Sequence, residues 1–153
     1  MYSKYAKTFN QHIKVVGASD IIESRCNYVG DLHNIPQENR FGHYNEVFER
    51  PKMADAVIIA TPDDRHYEPC IKAMKMGYHV LLEKPAAPTE KECKDILKVS
   101  QATNRIVAIS HVLRYSPYFI AMKSVVDSGA IGELVSIQHM EPIQYAHMAH
   151  SYV

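Results

Sequence analysis

The sequence lacks the features that mark several broad classes of protein. No apolar run approaches the roughly 20 residues that a membrane helix needs, and the first residues contain no signal-peptide core. Charge is balanced at 17 basic and 17 acidic residues, so nothing favours a polyanionic partner. We therefore expect a soluble cytoplasmic protein that binds neither a membrane nor a nucleic acid.

Cysteine pairs and a metal-binding motif are also missing. Cys26, Cys70 and Cys93 are odd in number and contain no Cys-x-x-Cys pair, so reduced thiols are expected. His147 and His150 stand three residues apart, but no Glu-bearing zinc helix surrounds them. We expect no metal site.

The sequence does contain a regular alternation of apolar strands and amphipathic helices. Apolar runs predict strands at 13–18, 56–60, 79–83, 106–110 and 134–140, and helical spacing predicts helices at 2–9, 21–28, 65–76, 89–102 and 118–126. Strands that are apolar on both faces and alternate with helices are typical of a parallel sheet covered on both sides. The predicted fold class is α/β, with no internal repeat or long linker.

In such sheets, ligands bind beyond the carboxyl ends of the strands. Asp20 follows the first predicted strand, where an acidic side chain would accept hydrogen bonds from ribose hydroxyls and repel a 2′-phosphate, favouring NAD over NADP. The alternative is a solvated Asp that caps the following helix. Spacing alone does not separate the two.

The second predicted strand ends in Thr61, Pro62 and Asp63, which begin a helix. The free N–H groups of this helix and the Thr61 hydroxyl suit the ribose or phosphate of a cofactor. Thr and Asp are equally good ordinary caps. His66, in the first turn, faces either the ligand crevice or the surface.

The third predicted strand ends in Glu83-Lys84-Pro85. Two charged side chains at the end of a buried strand cost free energy, which favours a functional role for them. Beside an oxidised nicotinamide ring, Lys84 would lose its proton more readily because of like charge and partial desolvation. It would then take a proton from a substrate hydroxyl as hydride leaves. The alternative is an exposed turn with a salt bridge.

Together these residues resemble the Gfo/Idh/MocA family of nicotinamide-dependent oxidoreductases over nearly the whole chain. Segment 56–85 is similar to that family's strand, Thr-Pro-x-x-x-His loop, helix and Glu-Lys-Pro strand end. Residues 111–117, His-Val-Leu-Arg-Tyr-Ser-Pro, and 128–133, Ser-Gly-Ala-Ile-Gly-Glu, resemble the link into its second domain. The spacing between these motifs makes the resemblance specific.

The resemblance implies a Rossmann-like doubly wound parallel sheet in residues 1–112 and the first helix and strand of an α+β domain in 113–153. It places Lys84 beside the nicotinamide and substrate and Asp20 on the ribose. It also implies that the cofactor is lined by Thr61, Pro62, His66, Glu83 and His111. Asp63, in the loop that contains Thr61 and Pro62, is expected to join them. Many relatives have Asn where this chain has His111. Relatives also pair through the large sheet of the second domain, so a homo-oligomeric parent is expected.

Two departures from the family pattern stand out. The family begins with a strand and a Gly-x-Gly-x-x-Gly turn, and none of the six glycines here forms that pattern. Since that strand lies in the middle of the sheet, its absence predicts a gap between unpaired strand edges. At the other end, the sequence stops before the family's usual substrate-binding residues. We interpret the chain as a piece of a longer enzyme, inactive or nearly so by itself.

The leading hypothesis is a parent enzyme that oxidises a secondary hydroxyl of a sugar, polyol or similar small molecule with NAD. One alternative within the fold is an NAD-dependent glycosidase, in which transient oxidation permits elimination. Another is a noncatalytic protein that keeps the fold as a ligand sensor.

Overall fold

The computed structural model describes residues 2–151 and divides into two compact units, Met1–His111 and Val112–Val153. The first unit alternates helices and strands in the order α1 (Tyr2–Thr8), β1 (Ala18–Ser19), α2 (Glu23–Leu32), β2 (Arg40–Phe41), α3 (Tyr44–Phe48), β3 (Ala56–Ile59), α4 (Tyr67–Lys75), β4 (His79–Leu82), α5 (Glu90–Thr103) and β5 (Val107–Ile109). Short 3₁₀ turns lie at Gln37–Asn39 and Asp63–Arg65. The predicted α/β class is confirmed.

All the strand pairs are parallel, but they form two sheets. One contains β1 and β2, and the other has the order β3-β4-β5. In the described residues, no ladder joins β1 to β3, which is the position where the missing first strand was predicted to leave a gap. The sheet is therefore split at the expected place.

The core lies between the larger sheet and helix α4, which packs on β3 and β4 and against α5. Met74, Tyr78 and Leu82 are fully buried there. Cys70 is also fully buried, and this burial raises the pKa of its thiol to about 12. Cys70 is thus a core residue, and all three cysteines are free.

Local signals in the sequence set the helix ends. The Thr89 hydroxyl oxygen accepts a hydrogen bond from the Glu92 backbone N–H at 3.2 Å, which caps α5 and contributes about 1 kcal/mol. Gly77 has a φ of +88°, a conformation that costs little only for glycine, and α4 ends just before it.

The second unit differs most from the prediction. It contains α6 (Pro117–Asp127) and α7 (Tyr145–Ser151), and residues 134–140 form no strand. The alternating pattern there marks a strand face, but a strand forms only with a neighbour, and the described residues of this unit offer none. The side chains of His147 and His150, weighed above as metal ligands, lie outside the described set. None of the helices described has the length and apolarity to cross a bilayer.

Candidate nicotinamide site

The three parallel strands of the larger sheet end at one edge and bring their following residues together. The backbone N–H of Glu83 donates to the carbonyl of Ile59 at 2.9 Å, and that of Ser110 donates to Leu82 at 2.8 Å. The ladders thus continue one residue past β4 and β5. Glu83 and Ser110 are therefore fixed side by side at the carboxyl edge, where a ligand of this fold would sit.

Glu83 is half-buried, and both of its carboxylate oxygens are in use. Tyr2 donates its hydroxyl to Glu83 Oε1 at 2.5 Å, and the Lys84 backbone N–H donates to Oε2 at 3.1 Å. The Tyr2 hydroxyl also lies 2.5 Å from the Ser110 hydroxyl. Burial, and then the hydrogen bond to Glu83, raise the pKa of Tyr2, and the hydrogen bond to Ser110 opposes them.

Lys84 is exposed beside this network. Within the described part of the chain, its ammonium has no carboxylate partner within 4.0 Å, because the Glu83 carboxylate faces Tyr2 instead. The peptide bond from Lys84 to Pro85 is cis. Among the described residues, Lys84 therefore does not form the salt bridge that the alternative explanation of Glu-Lys-Pro requires.

Thr61, Pro62 and Asp63 form the segment after β3. The Thr61 hydroxyl donates to the Arg65 carbonyl at 3.0 Å, which leaves its lone pairs available as acceptors. Pro62 and Asp63 are exposed, and the Asp63 carboxylate makes no hydrogen bond among the residues described. This segment is open to a ligand on the same edge as Lys84.

His66 is placed differently from its neighbours. It is fully buried, and each ring nitrogen faces a backbone carbonyl: Nδ1 that of Pro85 at 2.7 Å, and Nε2 that of Thr61 at 2.8 Å. The ring therefore has no free nitrogen for a cofactor. It joins the segment after β3 to the turn that contains Lys84.

Asp20 and His111 lie at the ends of β1 and β5. Asp20 Oδ1 accepts from the Ile22 N–H at 2.8 Å at the start of α2, while Oδ2 has no partner in the described structure. This bond forms a turn before α2 rather than a helix cap, because the N-cap of α2 is Ile22 and no side chain caps that helix. The second carboxylate oxygen remains available for a ribose contact. His111 is exposed just after Ser110. Asp20 belongs to the smaller sheet and the other site residues to the larger one.

Sequence reasoning missed Tyr2 and Ser110. The helical spacing of 2–9 gives no sign of the partners of Tyr2. Its hydroxyl contacts Glu83 and Ser110, which follow it in the sequence by 81 and 108 positions, and only the fold brings them together. The position of Ser110, directly after an apolar strand, was the available signal. No group of three or more potential metal ligands gathers among the described residues.

A family model, Gfo/Idh/MocA, described as an oxidoreductase family with an NAD-binding Rossmann fold, matches residues 1–111. The chain belongs to this family. An uncharacterised oxidoreductase, YfiI of Bacillus subtilis, is 30% identical over 135 residues, covering 86% of this chain and 33% of the relative. Inositol 2-dehydrogenase of Salmonella typhimurium is 27% identical over 122 residues, covering 79% and 36%.

Among solved structures, scyllo-inositol dehydrogenase from Lactobacillus casei, with bound NAD(H) and scyllo-inositol, superposes with a TM-score of 0.77 at 22% identity. The match covers 86% of this chain and 38% of that one. At this identity the likeness establishes the fold alone, and it confirms the Rossmann-like class. The chain spans about a third of the length of the curated relatives.

The residues present fit part of a dinucleotide. A free carboxylate oxygen on Asp20 suits ribose hydroxyls, and the open carboxyl edge beside Lys84 suits the nicotinamide end. The glycine-rich turn that would hold the pyrophosphate is not among the residues of this chain. The fit is therefore to the two ends of the cofactor rather than to its middle.

Proposed function

We propose that the protein containing this chain uses NAD to oxidise a secondary hydroxyl of a sugar, polyol or similar small molecule. The observation that carries the proposal is the state of Lys84. Its ammonium is exposed at the carboxyl edge of the sheet and unpaired among the described residues, although Glu83 is the adjacent residue. A lysine kept free of its neighbouring carboxylate is available to a substrate.

Lys84 supplies the proton transfer in this reaction. When bound, NAD supplies a hydride acceptor. Lys84 Nζ, in its neutral form, takes the proton from the substrate hydroxyl as the C–H hydride departs, so that the alcohol becomes a carbonyl. Glu83 remains with Tyr2 and the Lys84 backbone, and it holds the strand end that carries the lysine.

The remaining predicted residues bind and orient the cofactor. Asp20 Oδ2 accepts from the ribose hydroxyls, which favours NAD over NADP because a 2′-phosphate would meet a like charge. We assign the open edge around Lys84 to Thr61, Pro62, Asp63 and His111, which follow the ends of β3 and β5. For His66 we propose a structural rather than a contact role, since both of its ring nitrogens are occupied.

A cyclic polyol is the favoured substrate class. One relative is named an inositol 2-dehydrogenase, and a protein of the same fold was solved with scyllo-inositol and NAD(H). This chain covers 36% of that relative and 38% of that structure, so most of each protein lies outside the matched segment. A panel of inositols, aldoses and linear polyols is therefore the first screen for the full-length protein.

The decisive test replaces Lys84 in the full-length protein. Lys84→Ala should lower kcat about 10²- to 10⁴-fold, the usual contribution of a positioned general base, while NAD affinity measured by calorimetry changes little. Lys91→Ala is the matched control, because Lys91 is an exposed lysine on α5 without an ion pair among the described residues. Full turnover by Lys84→Ala would reject the lysine mechanism. Glycoside cleavage without net NADH formation would instead support the glycosidase alternative.

A further inference from the structure

His66 lies in the interior at the point where two functional segments meet. It immediately precedes α4, has no exposed surface, and contacts the carbonyls of Thr61 and Pro85 through its two ring nitrogens. Thr61 ends the strand on one side, and Pro85 follows Lys84 on the other. One buried ring thus bridges two of the three strand ends of the larger sheet.

The two carbonyl partners limit the number of N–H groups that satisfy this ring's surroundings. A backbone carbonyl accepts hydrogen bonds and never donates. A neutral imidazole carries one N–H, so it would satisfy one carbonyl and turn a bare nitrogen lone pair toward the other at 2.7 or 2.8 Å. The imidazolium has two N–H donors, and both distances lie in the range of charge-assisted hydrogen bonds, about 2.7–2.9 Å.

Burial opposes a positive charge on this ring, so a charged ring needs nearby acceptors that stabilise it. Besides His66 itself, the ionisable side chains of its own segment, 61–70, and of the strand end and turn at 83–85 are Asp63, Asp64, Arg65, Tyr67, Glu68, Cys70, Glu83 and Lys84. Within the described part of the chain, none of the carboxylates approaches a ring nitrogen of His66 within 4.0 Å. Glu68 is paired with Lys72, and Glu83 with Tyr2. The two carbonyls are thus the acceptors that oppose the cost of burial.

We propose that His66 is a positioning residue whose doubly protonated ring fastens the segment after β3 to the turn that carries Lys84. Removal of one proton leaves one N–H for two carbonyls and releases one of the two ties. The consequence for Lys84 rests on the proposed function, whereas the clamp itself does not. Its protonation can be measured without cofactor, substrate or turnover.

The first experiment is nitrogen NMR of the histidine rings in the 153-residue chain labelled with ¹⁵N-histidine. At neutral pH, both ring nitrogens of His66 should show the signature of a protonated imidazolium. His79 is the internal control, because its Nδ1 accepts a hydrogen bond from the Ile106 N–H at 3.0 Å and therefore carries no proton. A bare ring nitrogen on His66 under the conditions where His79 shows one would overturn the proposal.

The second experiment tests whether the clamp holds the Lys84 turn. In His66→Gln, one amide group replaces two opposed donors, and amide hydrogen exchange at Lys84 and Ala86 should become about tenfold faster, the effect of losing one charge-assisted hydrogen bond. His79→Gln is the matched control and should leave exchange at Lys84 unchanged. Equal exchange at Lys84 in the wild type and in His66→Gln would exclude the clamp. If His66→Gln does not fold, the NMR of the wild-type ring still shows whether both nitrogens of His66 carry a proton.

Discussion

At the scale of single residues, the Tyr2 hydroxyl is the contact that ties the start of the chain to the candidate site. It lies 2.5 Å from both Glu83 Oε1 and Ser110 Oγ, so it joins α1 to the ends of β4 and β5. The contact also keeps the Glu83 carboxylate away from the Lys84 ammonium. A residue of the first helix therefore helps to determine how the lysine is presented.

This contact predicts a pH-dependent stability. Because burial and Glu83 raise the pKa of Tyr2 in the folded chain, the folded state holds the phenol proton more tightly than the unfolded state, where tyrosine titrates near about 10. The stabilisation is complete below that pH and is lost as pH rises through the folded pKa. Tyr2→Phe should lower the free energy of unfolding by about 0.5–1 kcal/mol at pH 8, and the difference from wild type should shrink above about pH 10, where the unfolded tyrosine loses its proton.

Urea unfolding at the two pH values measures this difference. Tyr5→Phe serves as the control, because Tyr5 is 52% exposed and its hydroxyl has no hydrogen bond in the described structure. A Tyr2→Phe effect of the same size at both pH values would contradict the proposed link between Tyr2 and Glu83.

At the scale of elements, the sequence was sufficient wherever one element carries its own signal. Helix α5 has a cap and an amphipathic stripe, and β3 and β4 are apolar runs bounded by polar residues, so each was located within a residue or two. Elements that form only beside a partner strand could not be located as well. The first strand was predicted over 13–18, but it forms only at Ala18–Ser19, because its neighbour β2 is two residues long.

The site shows the same division. The strand-end residues could be predicted because they follow their strands directly in sequence. The contacts of Tyr2 with Glu83 and of His66 with Pro85 could not, because they join positions 81 and 19 residues apart. Such contacts follow from the packing of whole elements, which a local pattern does not encode.

The packing of α2 against β2 gives a sharp test at this scale. Gly30 lies buried in α2, and an added Cβ would overlap Arg40 Nε and Cζ and stand 2.7 Å from its Cδ. Arg40 cannot move freely, since it donates to the Ile35 carbonyl at 2.9 Å and pairs with Asp31 at 2.7 Å. Gly30→Ala should therefore lower the free energy of unfolding by about 1–2 kcal/mol, despite a helix-propensity gain of about 1 kcal/mol.

Gly42→Ala is the control for Gly30→Ala. Its added Cβ would meet Glu46 Oε1 at an ordinary 3.5 Å, so the change should stay within about 0.5 kcal/mol. A double-mutant cycle isolates the cause: in an Arg40→Ala background, Gly30→Ala should become neutral or stabilising. Equal destabilisation in both backgrounds would show that the arginine is not responsible.

At the scale of the whole molecule, the two units differ in how much apolar surface they bury. The first has a contiguous core that includes Met74, Tyr78 and Leu82. In the second, none of the residues whose exposure is described is buried, and large apolar side chains such as Val135 and Met140 are at least 80% exposed. Helix α6 presents Tyr118, Met122 and Val125 on its surface, each nearly half exposed or more. The first unit is therefore stabilised by the burial of apolar side chains, whereas the residues of the second unit whose exposure is described contribute no fully buried side chain.

This contrast predicts unequal protection from amide hydrogen exchange. An isolated helix of 11 residues is marginal in water without a packed apolar face, so amides of α6 should exchange at rates near those of an unfolded peptide. Helix α4 has 9 residues, of which Pro69, Cys70, Ala73 and Met74 are buried, and its interior amides should be protected by about 10³-fold or more. The two helices are of similar length, so α4 is the matched control for α6.

Mass spectrometry of peptic fragments after exchange in D₂O measures both in one sample. Comparable protection of α6 and α4 would mean that stability does not follow the burial seen here, and that α6 is held by contacts other than those of its own unit.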